Sequence, residues 1–125
     1  MPAAFGNKIY YVPVNSPMLA FQFKNAKMLA TPVAKTTHSF QYPGATPSIS
    51  ANGSTNGIVW VVENSNPAVL RAYNATNLQE IYNTNQAAGS RDQFGNGNKF
   101  MTPTIAKGRV YVGTPNSVVV FGLLK

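Results

Sequence analysis

An all-β fold of repeated antiparallel meanders is what this chain predicts, on three observations. Short apolar or alternating runs rich in Val, Ile, Tyr and Phe are separated by clusters of Asn, Ser, Gly and Pro, the pattern of strands joined by turns. No segment carries a 3.6-residue apolar period over about ten residues, so no helix is expected. One phrase recurs three times, with its aromatic residues Tyr10, Trp60 and Tyr111 spaced by 50 and 51. A fixed period of this size, with up to four strands per unit, fits four-stranded β-propeller blades.

The phrase is clearest at Thr102–Leu124, TPTIAKGRVYVGTPNSVVVFGLL: a short strand, a turn, an alternating strand, a turn and an apolar strand. The opening residues MPAAFGNKIYYV match its start without gaps, setting Pro2 on Pro103, Lys8 on Arg109, Ile9 on Val110 and Tyr10 on Tyr111. Asn15-Ser16-Pro17 then turns the chain into a strand over Met18–Phe23, and Asn25-Ala26 into an outer strand over Lys27–Val33. The second unit sets Thr46–Ser50 on Thr102–Ala106 and Gly57–Val61 on Gly108–Val112, with Asn52–Asn56 as extra residues in its turn. Asn64–Pro67 leads into Ala68–Tyr73, and Asn74–Asn77 into an outer strand over Gln79–Asn83. Asn, Ser, Gly and Pro favour such turns through local hydrogen bonds, positive φ or preset φ. The third unit ends after its third strand. The units run approximately over 1–35, 44–84 and 100–125, about two and a half blades of an incomplete propeller. Two longer connections remain: Thr36–Ala45, holding His38, Phe40 and Tyr42, and the glycine-rich Asn85–Lys99, of a length that is often functional in loops.

Composition bounds function by exclusion. With no cysteine, disulfides, thiolate metal sites and cysteine catalysis are ruled out. Only 10% of residues are charged and 44% are hydrophobic, a neutral surface over a core large enough for one domain. The formal charge of +7 comes from ten Lys and Arg against Glu63, Glu80 and Asp92. The cations are scattered singly and no recognition motif accompanies them, so specific nucleic-acid binding is not expected. A diffuse positive field does leave weak polyanion binding open, with steep salt dependence. No apolar run reaches the ~20 residues of a membrane helix, and no signal-peptide pattern opens the chain.

Chemistry-bearing candidates are few. His38 is the only histidine; its neighbour Ser39 points to the opposite face of an extended chain, so the pair is not a nucleophile and its base. Its expected setting is a solvated loop. Arg91 and Asp92 sit side by side in the longest loop, before Gly95-Asn96-Gly97-Asn98. The ligand types suit calcium, but a lone carboxylate without EF-hand spacing predicts no metal site. Trp60, Tyr10 and Tyr111 occupy equivalent strand positions; they are candidates for an aromatic or carbohydrate-binding surface, with burial between packed sheets the expected role.

On these residues the chain resembles the closing repeats of bacterial quinoprotein-like (pyrroloquinoline-quinone-dehydrogenase-like) β-propellers. The likeness rests on TPTIAKGRVYVGTPNSVVVFGLL and on Gly44–Gln86, and it covers nearly the whole chain. The blade signature Ala-x-Asp-x-x-Thr-Gly-Lys-x-x-Trp stands here as Ala72 to Tyr82, with Asn74 for the Asp, Asn77 for the Gly and Tyr82 for the docking Trp. The resemblance implies a secreted or periplasmic location. The family's enzymes hold quinone and calcium with a vicinal disulfide and acidic residues, which this chain cannot supply, so no cofactor and no catalytic residue are carried over. Such propellers have six to eight blades, so a C-terminal part of a larger propeller is expected, completed by N-terminal blades or by self-association of open strand edges. The leading expectation is a non-catalytic binding or scaffold module that forms a homo-oligomer. The competing one is a small hydrolase whose site forms at an oligomer interface from His38, Asp92 and Arg91.

Overall fold

The computed structural model describes residues 1–123; Leu124 and Lys125, the close of the third unit, lie outside the described residues. Among the described residues, twelve strands form three antiparallel sheets, none of them closed. Sheet one holds β1 (Ala3–Phe5), β2 (Lys8–Tyr11), β3 (Ser16–Lys24), β4 (Lys27–Met28) and β5 (Ala34–Phe40). Sheet two is the meander β6 (Ser48–Asn52), β7 (Thr55–Glu63), β8 (Val69–Asn74) and β9 (Glu80–Asn83). Sheet three is β10 (Thr104–Ala106), β11 (Arg109–Gly113) and β12 (Val118–Phe121). No α-helix forms among the described residues; single 3-10 turns at Thr84–Gln86 and Ala88–Ser90 open the long loop.

The three sheets share a register. In sheet one Tyr10 pairs with Ala3 and Ala20; in sheet two Trp60 pairs with Ser48 and Ala72; in sheet three Tyr111 pairs with Thr104 and Val120. β6 lies beside both β1 and β10, and the Ser48 hydroxyl donates to the Pro103 carbonyl. The first strands of the three sheets are therefore neighbours.

Packing follows from alternation. Tyr10, Met18, Ala20 and Phe40 of sheet one meet Val59, Val61, Tyr73 and Leu78 of sheet two in one apolar core. Val62, Leu70 and half-buried Trp60 of sheet two meet Val110, Val112 and Phe121 of sheet three in a second, which Phe94 of the long loop completes. Fully burying a side chain of this size is worth about 1.5–3 kcal/mol, so these two layers carry most of the fold. Among the described residues the buried polar side chains are Thr36 and Thr84, and they do the same job in different sheets. The Thr36 hydroxyl accepts the Met18 N–H at 3.0 Å, and the Thr84 hydroxyl accepts the Leu70 N–H at 3.3 Å.

One expectation is corrected. The outer strand of sheet one is Ala34–Phe40, not Lys27–Val33: in that segment the ladder with β3 holds only exposed Lys27 and Met28, and beyond it single N–H groups, those of Leu29 and Val33, reach β3 carbonyls. Pro32 lacks the N–H that a longer ladder needs, whereas Ala34–Phe40 alternates and buries Thr36 and Phe40. The first sheet thus runs past residue 35. The extra residues Asn52–Asn56 of the second unit lengthen the β6–β7 hairpin around Gly53-Ser54, with Asn52 paired to Thr55 after a bulge.

Candidate functional site

A concavity of about 760 Å³ opens between sheets two and three. Ser50, Ile58, Trp60 and Tyr82 of sheet two form one wall, and Ile105, Val110 and Phe121 of sheet three form the other. Arg91 and Asp92 of the long loop and Arg109 at the start of β11 supply the charges at its edge.

The space exists because one side chain is small. In the corresponding place between sheets one and two, Phe5 lies against Gly57 so closely that a Cβ there would stand 2.7 Å from the Phe5 Cδ1 and 2.9 Å from the Ala75 Cβ. The register places Ser50 in sheet two where Phe5 stands in sheet one: Phe5 pairs with Lys8, and Ser50 with Ile58, the residue two before the central aromatic in each sheet. At Gly108, which answers to Gly57, a Cβ would meet no atom within 4 Å, so the gap stays open. The Ser50 hydroxyl accepts the Trp60 Nε1–H at 2.8 Å and holds the indole along the wall.

The charged edge is pre-organised. The Arg91 Nε and Nη2 donate to the two Asp92 oxygens at 2.7 and 2.9 Å, and the Tyr82 hydroxyl donates to Asp92 Oδ2 at 2.6 Å. These hydrogen bonds, the Arg91 one foremost, hold the Asp92 carboxyl at about 2, below its ordinary 3.8. Burial, and then the hydrogen bond to Asp92, push the Tyr82 phenol up. A carboxylate so stabilised is a fixed charge and a weak proton acceptor, suited to orienting a ligand rather than to acting as a general base. Two guanidinium groups against one carboxylate leave the edge net positive.

The predicted candidates are thus partly brought together. Arg91, Asp92 and Trp60 line one cleft. His38 is elsewhere, and it is not a loop residue: it sits in β5, 30% exposed, with Nε2 3.2 Å from Glu63 Oε2 and its ring edge-on to Phe40. Among the described residues no hydrogen bond or ion pair joins it to Asp92 or Arg91. Tyr10 belongs to the core, fully buried, donating from its hydroxyl to the Ala75 carbonyl at 2.7 Å. Tyr111 is half-buried on sheet three.

Sequence reasoning passed over the group that His38 does join. Arg71 on β8 donates to Glu63 Oε2 at 2.8 Å and to Glu80 Oε1 at 2.7 Å, and Asn83 donates to the other Glu80 oxygen at 3.2 Å. Burial works against the Arg71 charge, but the hydrogen bonds to Glu80 and Glu63 outweigh it and raise its pKa. Tyr73, fully buried beside this group, is pushed up by desolvation and then by the Glu80 charge. Its hydroxyl meets no protein partner in hydrogen-bond geometry among the described residues. The signal was present in the hairpin: Glu63 opposes Val69, so Arg71 is its diagonal neighbour on one face.

The residues do not fit the family's quinone and calcium. Among the described residues no three His, Cys, Asp or Glu side chains converge, and every carboxylate is already engaged, Asp92 by Arg91 and Tyr82, Glu63 and Glu80 by Arg71. No helix among the described residues is long and apolar enough to cross a membrane. Comparison with family models, with curated proteins and with solved structures finds no match to this chain.

Proposed function

We propose that this chain is a propeller-type repeat module, of the quinoprotein-like kind and non-catalytic, that works by binding. The observation that carries the reading is the cleft of about 760 Å³ between sheets two and three, with apolar walls, an indole held in place and a net positive edge. Concave sites of this size with a few convergent polar groups are where small ligands bind. The common register of the three sheets and the adjacency of β1, β6 and β10 support the propeller-type arrangement. The ligand class that suits the cleft is a compact aromatic or apolar body carrying one negative charge.

Trp60, the only tryptophan, makes the test direct. Titration with 8-anilinonaphthalene-1-sulfonate, a compact aromatic anion, is expected to quench Trp60 emission saturably with transfer to the dye. Ser50→Phe, which places in this cleft the ring that already fills its counterpart, is expected to abolish the transfer while far-UV circular dichroism stays unchanged. Equal binding by the wild type and S50F would exclude the cleft as the site.

A further inference from the structure

Each sheet has a front, turned toward the next sheet in chain order, and a back. The front of sheet one (Tyr10, Met18, Ala20) is buried on the back of sheet two (Val59, Val61, Tyr73). The front of sheet two (Trp60, Val62, Leu70) lies on the back of sheet three (Val110, Val112, Phe121). Among the described residues two faces are left over, the front of sheet three and the back of sheet one.

Register identifies what these two faces are. The pair Tyr10–Ala20 recurs in sheet three as Tyr111–Val120, so Tyr111, Val120 and Val118 stand where Tyr10, Ala20 and Met18 stand in sheet one. Similarly, Val110–Phe121 and Val112–Val119 recur in sheet one as Ile9–Phe21 and Tyr11–Leu19. The buried members and their counterparts differ sharply in exposure. Met18 and Ala20 are 0% exposed, whereas Val118 and Val120 are 68% and 48% exposed; Val61 is 0% exposed and Tyr11 47%. Both leftover faces are apolar, and each is the counterpart of a face that this same molecule buries against the other kind.

We propose that two copies of this chain close a ring of six sheets, the front of sheet three in each copy packing on the back of sheet one in the other. This rests on the propeller-type reading above. The partner is a second copy because a chain of this sequence presents both faces in the register that the internal packing already uses. The contact is head-to-tail, which makes a ring if the rotation closes and a filament if it does not. Each copy brings three sheets, so two copies give six, within the roughly four to eight blades that propellers close with, while three copies give nine.

The test is the mass of the chain in solution by light scattering on a sizing column. The expected value is twice 13.4 kDa, or 26.8 kDa. Val120→Asp alone and Tyr11→Lys alone are each expected to fold, judged by circular dichroism, and to run at 13.4 kDa. Mixed in equal amounts, the two variants are expected to return to the dimer mass, since one contact then sets Asp against Lys and the other is native. Ala20 and Val61, the counterparts of positions 120 and 11, share one core. A wild-type monomer at the highest soluble concentration, or a ladder of open oligomers, overturns the ring. A dimer that survives both substitutions, or variants that fail to recombine, overturns the head-to-tail pairing. A monomer whose cleft still takes the dye overturns the ring while leaving the binding reading standing, so the two failures are distinguishable.

Discussion

Replacing Arg71 by Met is expected to cost about 3 kcal/mol. The guanidinium, only 12% exposed, bridges Glu63 and Glu80, which are 14% and 29% exposed. Breaking a buried ion pair by removing one partner costs about 3–5 kcal/mol, because the charge left behind is desolvated and unpaired. Two carboxylates are stranded here, which raises the figure, but water reaches Glu80 and lowers it, so the low end of that range applies. For a chain of this size about 3 kcal/mol is roughly 10 °C in Tm. Urea denaturation followed by circular dichroism measures it. Adding Glu63→Gln to R71M removes one of the stranded charges and is expected to recover part of the loss. A gap under about 1 kcal/mol, or no recovery in the double variant, would refute the account of Arg71 as a desolvated bridge.

Two further outcomes follow from the long loop. Gly97 approaches the β7–β8 turn so closely that a Cβ would lie 2.7 Å from both Asn64 Oδ1 and the Ser65 carbonyl, so Gly97→Ala is expected to lower stability by about 1–3 kcal/mol in chemical denaturation; an unchanged midpoint would show that the loop is not seated there. Tyr82→Phe removes a hydrogen bond that holds Asp92 ionised. Asp92 is depressed to about 2, so its contribution to stability is present above its ordinary 3.8 and is lost as pH falls toward 2. The substitution is expected to move that loss to higher pH, read from the Asp92 carboxyl carbon by NMR; an unmoved titration would mean that Arg91 alone sets it.

Most strands were legible because turn chemistry and alternation agree in this chain. Asn64–Pro67 and Asn116–Ser117 lie between strands that the apolar pattern already marks. The first sheet misled for a physical reason. Lys27–Val33 carries apolar residues, which read as a strand, yet Met28 is 53% and Leu29 38% exposed. The true outer strand hides its pattern in threonines and a histidine, whose burial depends on hydrogen bonds that only the fold supplies. The candidate site divided in the same way. Arg91 and Asp92 stood out by adjacency, and Trp60 by recurrence. The role of Ser50 was invisible, because it rests on what is missing relative to Phe5 and is seen only once register sets the two side by side. His38 was noticed for its rarity, but its partner Glu63 comes from another sheet.

The two buried threonines carry a consequence for how this architecture tolerates change. In sheets one and two a hydroxyl, not an outer-strand carbonyl, takes the N–H of the third strand at Met18 or Leu70. One side chain thus substitutes for a stretch of backbone ladder. The segment that delivers it is free to arrive by different routes: a wandering connection before Ala34 in one sheet, a short turn before Glu80 in the other. The perimeter can be rewritten in length and composition so long as a single threonine is set down at the right place.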